Sequence, residues 1–63
     1  MNINVYCPNY GSVGYIKKLY PDIGSVTVSE LGNLVIRRKA NEKHFSEVRA
    51  EFCQWAWAYW EPA

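Results

Sequence analysis

All three tryptophans and both phenylalanines of this chain fall between Phe45 and Trp60, so any fold it adopts must find neighbours for that segment. Read as a helix, the segment starts at Asn41, a good N-cap, with Glu42 in the first turn where a negative charge suits the helix dipole. At about 100° per residue, Phe45, Val48, Phe52, Trp55, Ala56 and Tyr59 share one arc, which predicts the face turned to the core. Glu47, Glu51, Gln54 and Ala58 take the wet side. Ala50, Cys53, Trp57 and Trp60 form a second apolar stripe, too far round to enter the same core. Such a helix wants two neighbours, and Glu61-Pro62-Ala63 ends it. The chain has 63 residues, a length at which about 60% of the unfolded surface is buried on folding. That leaves room for one domain, residues 1–63, with one core.

The rest of the chain supplies the other layer. Ile3, Val5 and Cys7 alternate with Asn2, Asn4 and Tyr6, which predicts a half-buried strand. Pro8-Asn9-Tyr10-Gly11 stops it. From Ser12 to Tyr20, Val13, Ile16, Lys17 and Tyr20 share a side at helical spacing, with Ser12 as cap and Pro21 as terminator. Ser25-Val26-Thr27-Val28-Ser29 and Leu34-Val35-Ile36-Arg37 read as a β-hairpin with the valines inward, joined through Gly32-Asn33, residues that tolerate positive φ. The expected fold is therefore α+β in the order β-α-β-β-α, a three-stranded, mostly antiparallel sheet packed by the long C-terminal helix.

Composition narrows the function classes. Seven Lys and Arg against six Asp and Glu give a net charge of +1, which fits neither a DNA-coating protein nor an acidic DNA mimic. Met1 to Ile16 carry no charge, so the basic leader of a secretory signal is absent. No apolar run approaches the roughly 18 residues of a membrane span. These features predict a cytoplasmic protein with no membrane association, in which Cys7 and Cys53 are reduced thiols. The single histidine, His44, has no partner acid or nucleophile in the sequence pattern, so the chain reads as a non-enzyme. Cys7-Pro8-Asn9-Tyr10-Gly11 has the outline of a zinc knuckle with Tyr10 in place of the second cysteine, and no second knuckle follows. No metal or other cofactor is expected.

Gly11-Ser12-Val13-Gly14 is a G-x-x-G, followed by Ile16-Lys17-Lys18-Leu19, a hairpin and an amphipathic segment. This order is similar to the later part of a KH domain, whose G-x-x-G loop between two helices clamps a nucleic-acid backbone. The resemblance implies RNA binding, with Gly11 and Gly14 admitting phosphates and Lys17 and Lys18 neutralising them. The chain departs from the family in having only ten residues before Gly11, and in Pro21, which shortens the following helix.

Charge is distributed unevenly. Between positions 17 and 43, Lys17, Lys18, Arg37, Arg38, Lys39 and Lys43 face Asp22, Glu30 and Glu42, a local balance of +3. After His44 the balance is −2. A dipolar layout of this kind steers an encounter with an acidic or nucleic-acid surface. Trp and Tyr are the residues interfaces favour as anchors. The sequence therefore points first to a protein-binding module, with Trp57, Trp60, Tyr10, Tyr15 and Tyr20 as contact residues and Arg37, Arg38 and Lys39 as steering charges. In size and style it resembles the small proteins by which phages and mobile elements block a host enzyme or defence complex, acting stoichiometrically on a host protein. The alternatives are the KH-like nucleic-acid binder and a homodimeric structural or antitoxin-like protein joined through Trp57 and Trp60.

Overall fold

The computed structural model describes residues 1–40 and 47–63. Among them there are six strands and no helix: β1 (Ile3–Pro8), β2 (Tyr15–Tyr20), β3 (Ile23–Val28), β4 (Leu34–Arg38), β5 (Val48–Phe52) and β6 (Tyr59–Pro62). They form two three-stranded antiparallel sheets, ordered β2-β1-β6 and β3-β4-β5. The expected α+β class is thus corrected to all-β. The predicted N-cap Asn41, together with Glu42, Lys43, His44 and Phe45, lies outside the described residues.

β1 is the strand its alternation predicts. Ile3, Val5 and Cys7 are buried, and the residues between them are half-buried. As the central strand of its sheet it pairs with β2 on one edge and β6 on the other. The β3–β4 hairpin also forms, in the register Val26↔Ile36 and Val28↔Leu34. Its turn closes through Gly32 N–H to the Ser29 carbonyl at 2.9 Å, and Gly32 takes φ 82°, a left-handed value that costs a residue without Cβ little. Of the two valines expected inward, Val26 packs on the core while Val28, at the strand's end, is exposed.

Within the described residues, both expected helices give way to strands. Tyr-Ile-Lys-Lys-Leu-Tyr carries aromatic and β-branched side chains that favour a pleated surface, and Gly14 at φ 107° folds this segment back on β1 as a hairpin. In the C-terminal segment, Val48-Arg49-Ala50-Glu51-Phe52 alternates with period two as well as with the helical period. Pairing with β4 puts Ala50 and Phe52 against the core. A turn at Cys53–Ala56, closed by Ala56 N–H to the Cys53 carbonyl at 2.9 Å, returns the chain to β1 as β6. The helical arc is overturned in detail: Trp55 and Tyr59, placed on its core face, are exposed, whereas Trp57 and Trp60, from the second stripe, pack on the core.

β2 and β3 make one bent run that begins in the first sheet and ends in the second. The corner is Pro21-Asp22. Proline keeps Tyr20 extended, and Asp22 adopts φ 58°, a left-handed conformation that Asp tolerates better than most residues. Its N–H is held by the Asn2 side-chain oxygen at 2.9 Å. Met1 and Ile23 exchange backbone hydrogen bonds of 2.8 and 2.6 Å beside the corner, joining the two sheets there. Strands that change sheet at a bend are the usual way to make the corner of such a packing. The core between the sheets holds Ile3, Val5, Cys7, Ile23, Leu34 and Ile36, flanked by Tyr20, Val26, Ala50, Phe52, Trp57 and Trp60. Among the described residues, six buried side chains, none aromatic, contribute about 1.5–3 kcal/mol each, and the large flanking rings add to their support.

Candidate functional site

Antiparallel hairpins put successive connections at opposite ends of a sheet, and here three of them meet at one end: residues 9–14, 29–33 and 53–58. Two contacts fix their arrangement. The Tyr10 hydroxyl donates to the Trp55 carbonyl at 2.6 Å, and the Trp57 indole N–H donates to the Gly32 carbonyl at 2.9 Å. Asn9 shapes the first loop, its side-chain oxygen accepting from Gly11 N–H at 3.2 Å.

From this end the surface continues onto the outer face of the first sheet. Residues opposite one another in a sheet share a face, so Tyr6 lies with Lys17 and Tyr59, and Pro8 with Tyr15. The Tyr6 and Tyr59 rings stack at 4.4 Å between centroids and 12° between planes. Tyr15 meets Tyr59 edge-on at 5.6 Å. Such pairs are worth about 0.5–1.5 kcal/mol beyond burial and hold the rings in one orientation. The Tyr6 hydroxyl also donates to the Glu61 carboxylate at 2.6 Å. That hydrogen bond, then burial, then the negative charge of Glu61, push its pKa up to about 12.

The rings remain accessible despite these contacts: Tyr10 is 77% exposed, Trp55 66%, Tyr15 57% and Tyr59 44%. Val13 and Leu31 are exposed in the loops of the same end, and Leu19 is exposed farther along the outer face of β2. Among the described residues, charge is nearly absent from this end. Met1 to Ile16 and Phe52 to Trp60 carry no charged side chain, leaving Glu30 in the hairpin turn and Lys17 and Glu61 on the sheet face.

The opposite end is charged. Arg38, Lys39 and Arg49 line an open groove of about 420 Å³ with Pro21, Asp22, Ile23 and Ala40. Lys39 Nζ lies 4.0 Å from the Asp22 carboxylate, with both side chains exposed. Arg49 sits over the Tyr20 ring at 5.3 Å from its centroid.

The residues singled out in the sequence are therefore distributed over both ends. Tyr10 and Tyr15 belong to the aromatic end. Trp57, Trp60 and Tyr20 face inward against the core, Tyr20 edge-on to Phe52 at 6.2 Å. Arg38 and Lys39 belong to the charged groove, and Arg37 is half-buried on the outer face of the second sheet, opposite Ser25. Gly11 and Gly14 sit in the β1–β2 hairpin loop and have strands on either side, so the helix-flanked clamp implied by the KH resemblance is not formed. Lys17 and Lys18 project from opposite faces of β2, Lys18 lying over the Phe52 ring at 5.5 Å. Trp55 and Tyr59 belong to the aromatic end but sit on the helical arc's core face. The signal that places Tyr59 is the strand alternation of Tyr59-Trp60-Glu61-Pro62, with proline at the limit of an edge strand, whereas Trp55 lies in the preceding turn and no strand period marks it.

Comparison with family models, curated proteins and solved structures finds no match to this chain.

Proposed function

We propose that this chain is a non-enzymatic protein-binding module that acts stoichiometrically on a partner protein through its aromatic end. The observation that carries the reading is the coincidence of four exposed rings, Tyr10, Tyr15, Trp55 and Tyr59, with two stretches free of charge. Protein interfaces have that anatomy: their buried centres are enriched in Tyr and Trp and depleted of charge, with polar residues at the rim. Lys17 and Glu61 would be that rim. Tyrosine and tryptophan also lose little rotamer freedom on binding, and the Tyr6–Tyr59–Tyr15 contacts reduce that loss further.

Nucleic acid fits this surface less well. Rings can stack on bases, but phosphate neutralisation needs several converging cations, and among the described residues Lys17 is the one cation on the ring-bearing face. A cytoplasmic setting is part of the proposal, because Cys7 and Cys53 are both unpaired thiols, as a reducing compartment keeps them. Blocking of a host enzyme or defence complex is the mode of action that suits a module that binds its partner stoichiometrically.

The test is a pull-down from cell lysate, run with and without nuclease, that compares the wild type with Trp55→Ser and Tyr59→Ser. Both variants should keep the wild-type circular dichroism spectrum and lose the captured protein. Capture unchanged in both, or capture of nucleic acid alone, would overturn the proposal.

A further inference from the structure

The geometry points to β2 as a docking edge for one extended, acidic strand of the partner, added antiparallel to the first sheet. This deepens the protein-binding reading and rests on it. β2 is an edge strand, since the sheet order is β2-β1-β6, and five of its six residues are exposed.

The free backbone groups of that edge can be assigned. A residue in a strand aims its N–H and C=O to the same side, and neighbours alternate. The Tyr6 carbonyl accepts from Ala58 N–H at 2.8 Å and the Asn2 carbonyl from Ala63 N–H at 2.9 Å, so the even-numbered residues of β1 turn toward β6. Ile3, Val5 and Cys7 then turn toward β2 and bond Tyr20, Lys18 and Ile16, their register partners. This leaves the N–H and C=O groups of Tyr15, Lys17 and Leu19 aimed away from the sheet. The side chains of those same three residues lie on the outer, aromatic face. A strand added here would gain main-chain hydrogen bonds and side-chain contacts from one set of residues, the arrangement by which strand addition combines affinity with specificity.

Charge selects the occupant. The central outward residue is Lys17, flanked by Tyr15 and Leu19, so the complementary strand reads apolar, acidic, apolar at alternate positions. A second copy of this chain is a poor match. The two antiparallel registers that use most of the strand set Lys17 against Lys17 of the second copy, or Lys18 against Lys18. Like charges directly opposite are destabilising, and lysine on an edge is a known guard against self-pairing.

The probe is a capped heptapeptide, Thr-Val-Thr-Glu-Thr-Val-Thr, compared with the same peptide carrying Lys in place of Glu. Amide exchange is followed by NMR on the full chain. At about millimolar peptide, the glutamate peptide should slow exchange of the Tyr15, Lys17 and Leu19 amides about tenfold or more, while the lysine peptide does not. Lys17→Glu should reverse that preference. Lys17→Pro removes only an outward N–H, which an edge strand tolerates, so it should retain the β1–β2 cross-peaks and lose the response to the glutamate peptide. Lys17→Ser keeps the donor and should retain part of the response. No slowing of the three amides by the glutamate peptide would overturn the inference. So would slowing that rises with protein concentration in the absence of peptide, which would make a second copy the occupant. If lysate capture survives in Lys17→Pro yet is lost in Tyr59→Ser, strand addition is wrong while the protein-binding reading stands.

Discussion

The indole N–H of Trp57 lies 2.9 Å from the carbonyl oxygen of Gly32, and this bond ties the β5–β6 connection to the turn of the β3–β4 hairpin. Gln54 approaches the same turn, since a Cβ placed on Gly32 would lie 3.2 Å from the Gln54 Cβ. The aromatic end is therefore built on a contact that also closes the core. Trp57→Phe keeps most of the ring's packing and leaves the Gly32 carbonyl without its donor. The expected loss is about 1–2 kcal/mol, read as a fall in Tm of several degrees for a domain of this size. An unchanged Tm would mean that solvent replaces the indole without cost.

The glycines separate by what surrounds them. At Gly24 an added Cβ would sit 2.7 Å from the Arg38 carbonyl oxygen and 2.8 Å from the Lys39 Cα. Both are backbone atoms, so the β3–β4 pairing must shift at the bulge where Gly24 is the extra residue. Gly24→Ala should cost about 1–3 kcal/mol in urea denaturation. At Gly11 the nearest atom would be the Asn9 side-chain oxygen at 3.7 Å, an ordinary contact, and Gly11→Ala should be neutral or mildly stabilising. Gly14 has open space but φ 107°, so Gly14→Ala should cost about 1–2 kcal/mol through backbone strain alone. Equal effects at all three positions would contradict this order.

What the sequence discloses of this fold depends on where its periods are unambiguous. In β1, polar Asn2, Asn4 and Tyr6 alternate cleanly with Ile3, Val5 and Cys7, and no helical reading competes. In the β3–β4 hairpin, Gly32 marks the turn directly. The C-terminal segment offers no such contrast, because a stretch this rich in aromatic and alanine residues matches a helical stripe as well as a strand. Pairing decides between them: β1 has a second edge to satisfy, and Tyr59–Pro62 satisfies it. That choice is made by residues more than fifty positions away, so local spacing does not contain it. The candidate site was legible only in part for the same reason. Tyr10 and Tyr15 reach it from a loop and a strand start, the strand parity of β6 turns Tyr59 outward and Trp60 inward, and Trp55 and Trp57 are sorted by the connection before β6, where the bond to Gly32 holds Trp57 inward.

That partition predicts a contrast between two tryptophans. Trp60 lies opposite Val5 and packs on the core, so Trp60→Ala should cost about 2–4 kcal/mol. Trp55 lends the Tyr10 hydroxyl only its backbone carbonyl, which the substitution preserves, and Trp55→Ala should stay within about 0.5 kcal/mol of wild type. Iodide should quench a variant retaining only Trp55 far more strongly than one retaining only Trp60. The helical arrangement, with Trp55 inward, requires the reverse ranking in both measurements.

The Tyr6–Glu61 hydrogen bond gives the aromatic face a signature in alkaline solution. With its folded pKa raised from the ordinary 10.0 to about 12, the Tyr6 hydroxyl binds its proton more tightly in the folded chain than in the unfolded one. Its contribution to stability is therefore complete below pH 10 and is lost as pH rises toward 12. Over that window the wild type should lose stability more steeply than Tyr6→Phe, which has no proton to release and still stacks on Tyr59. Below pH 10 the two should differ by a constant offset, set by the bond itself. Denaturant midpoints measured at several pH values between 8 and 12 resolve the two slopes. Parallel curves would show that the phenol ionises as freely in the folded protein as in the unfolded chain, and that Glu61 does not hold it.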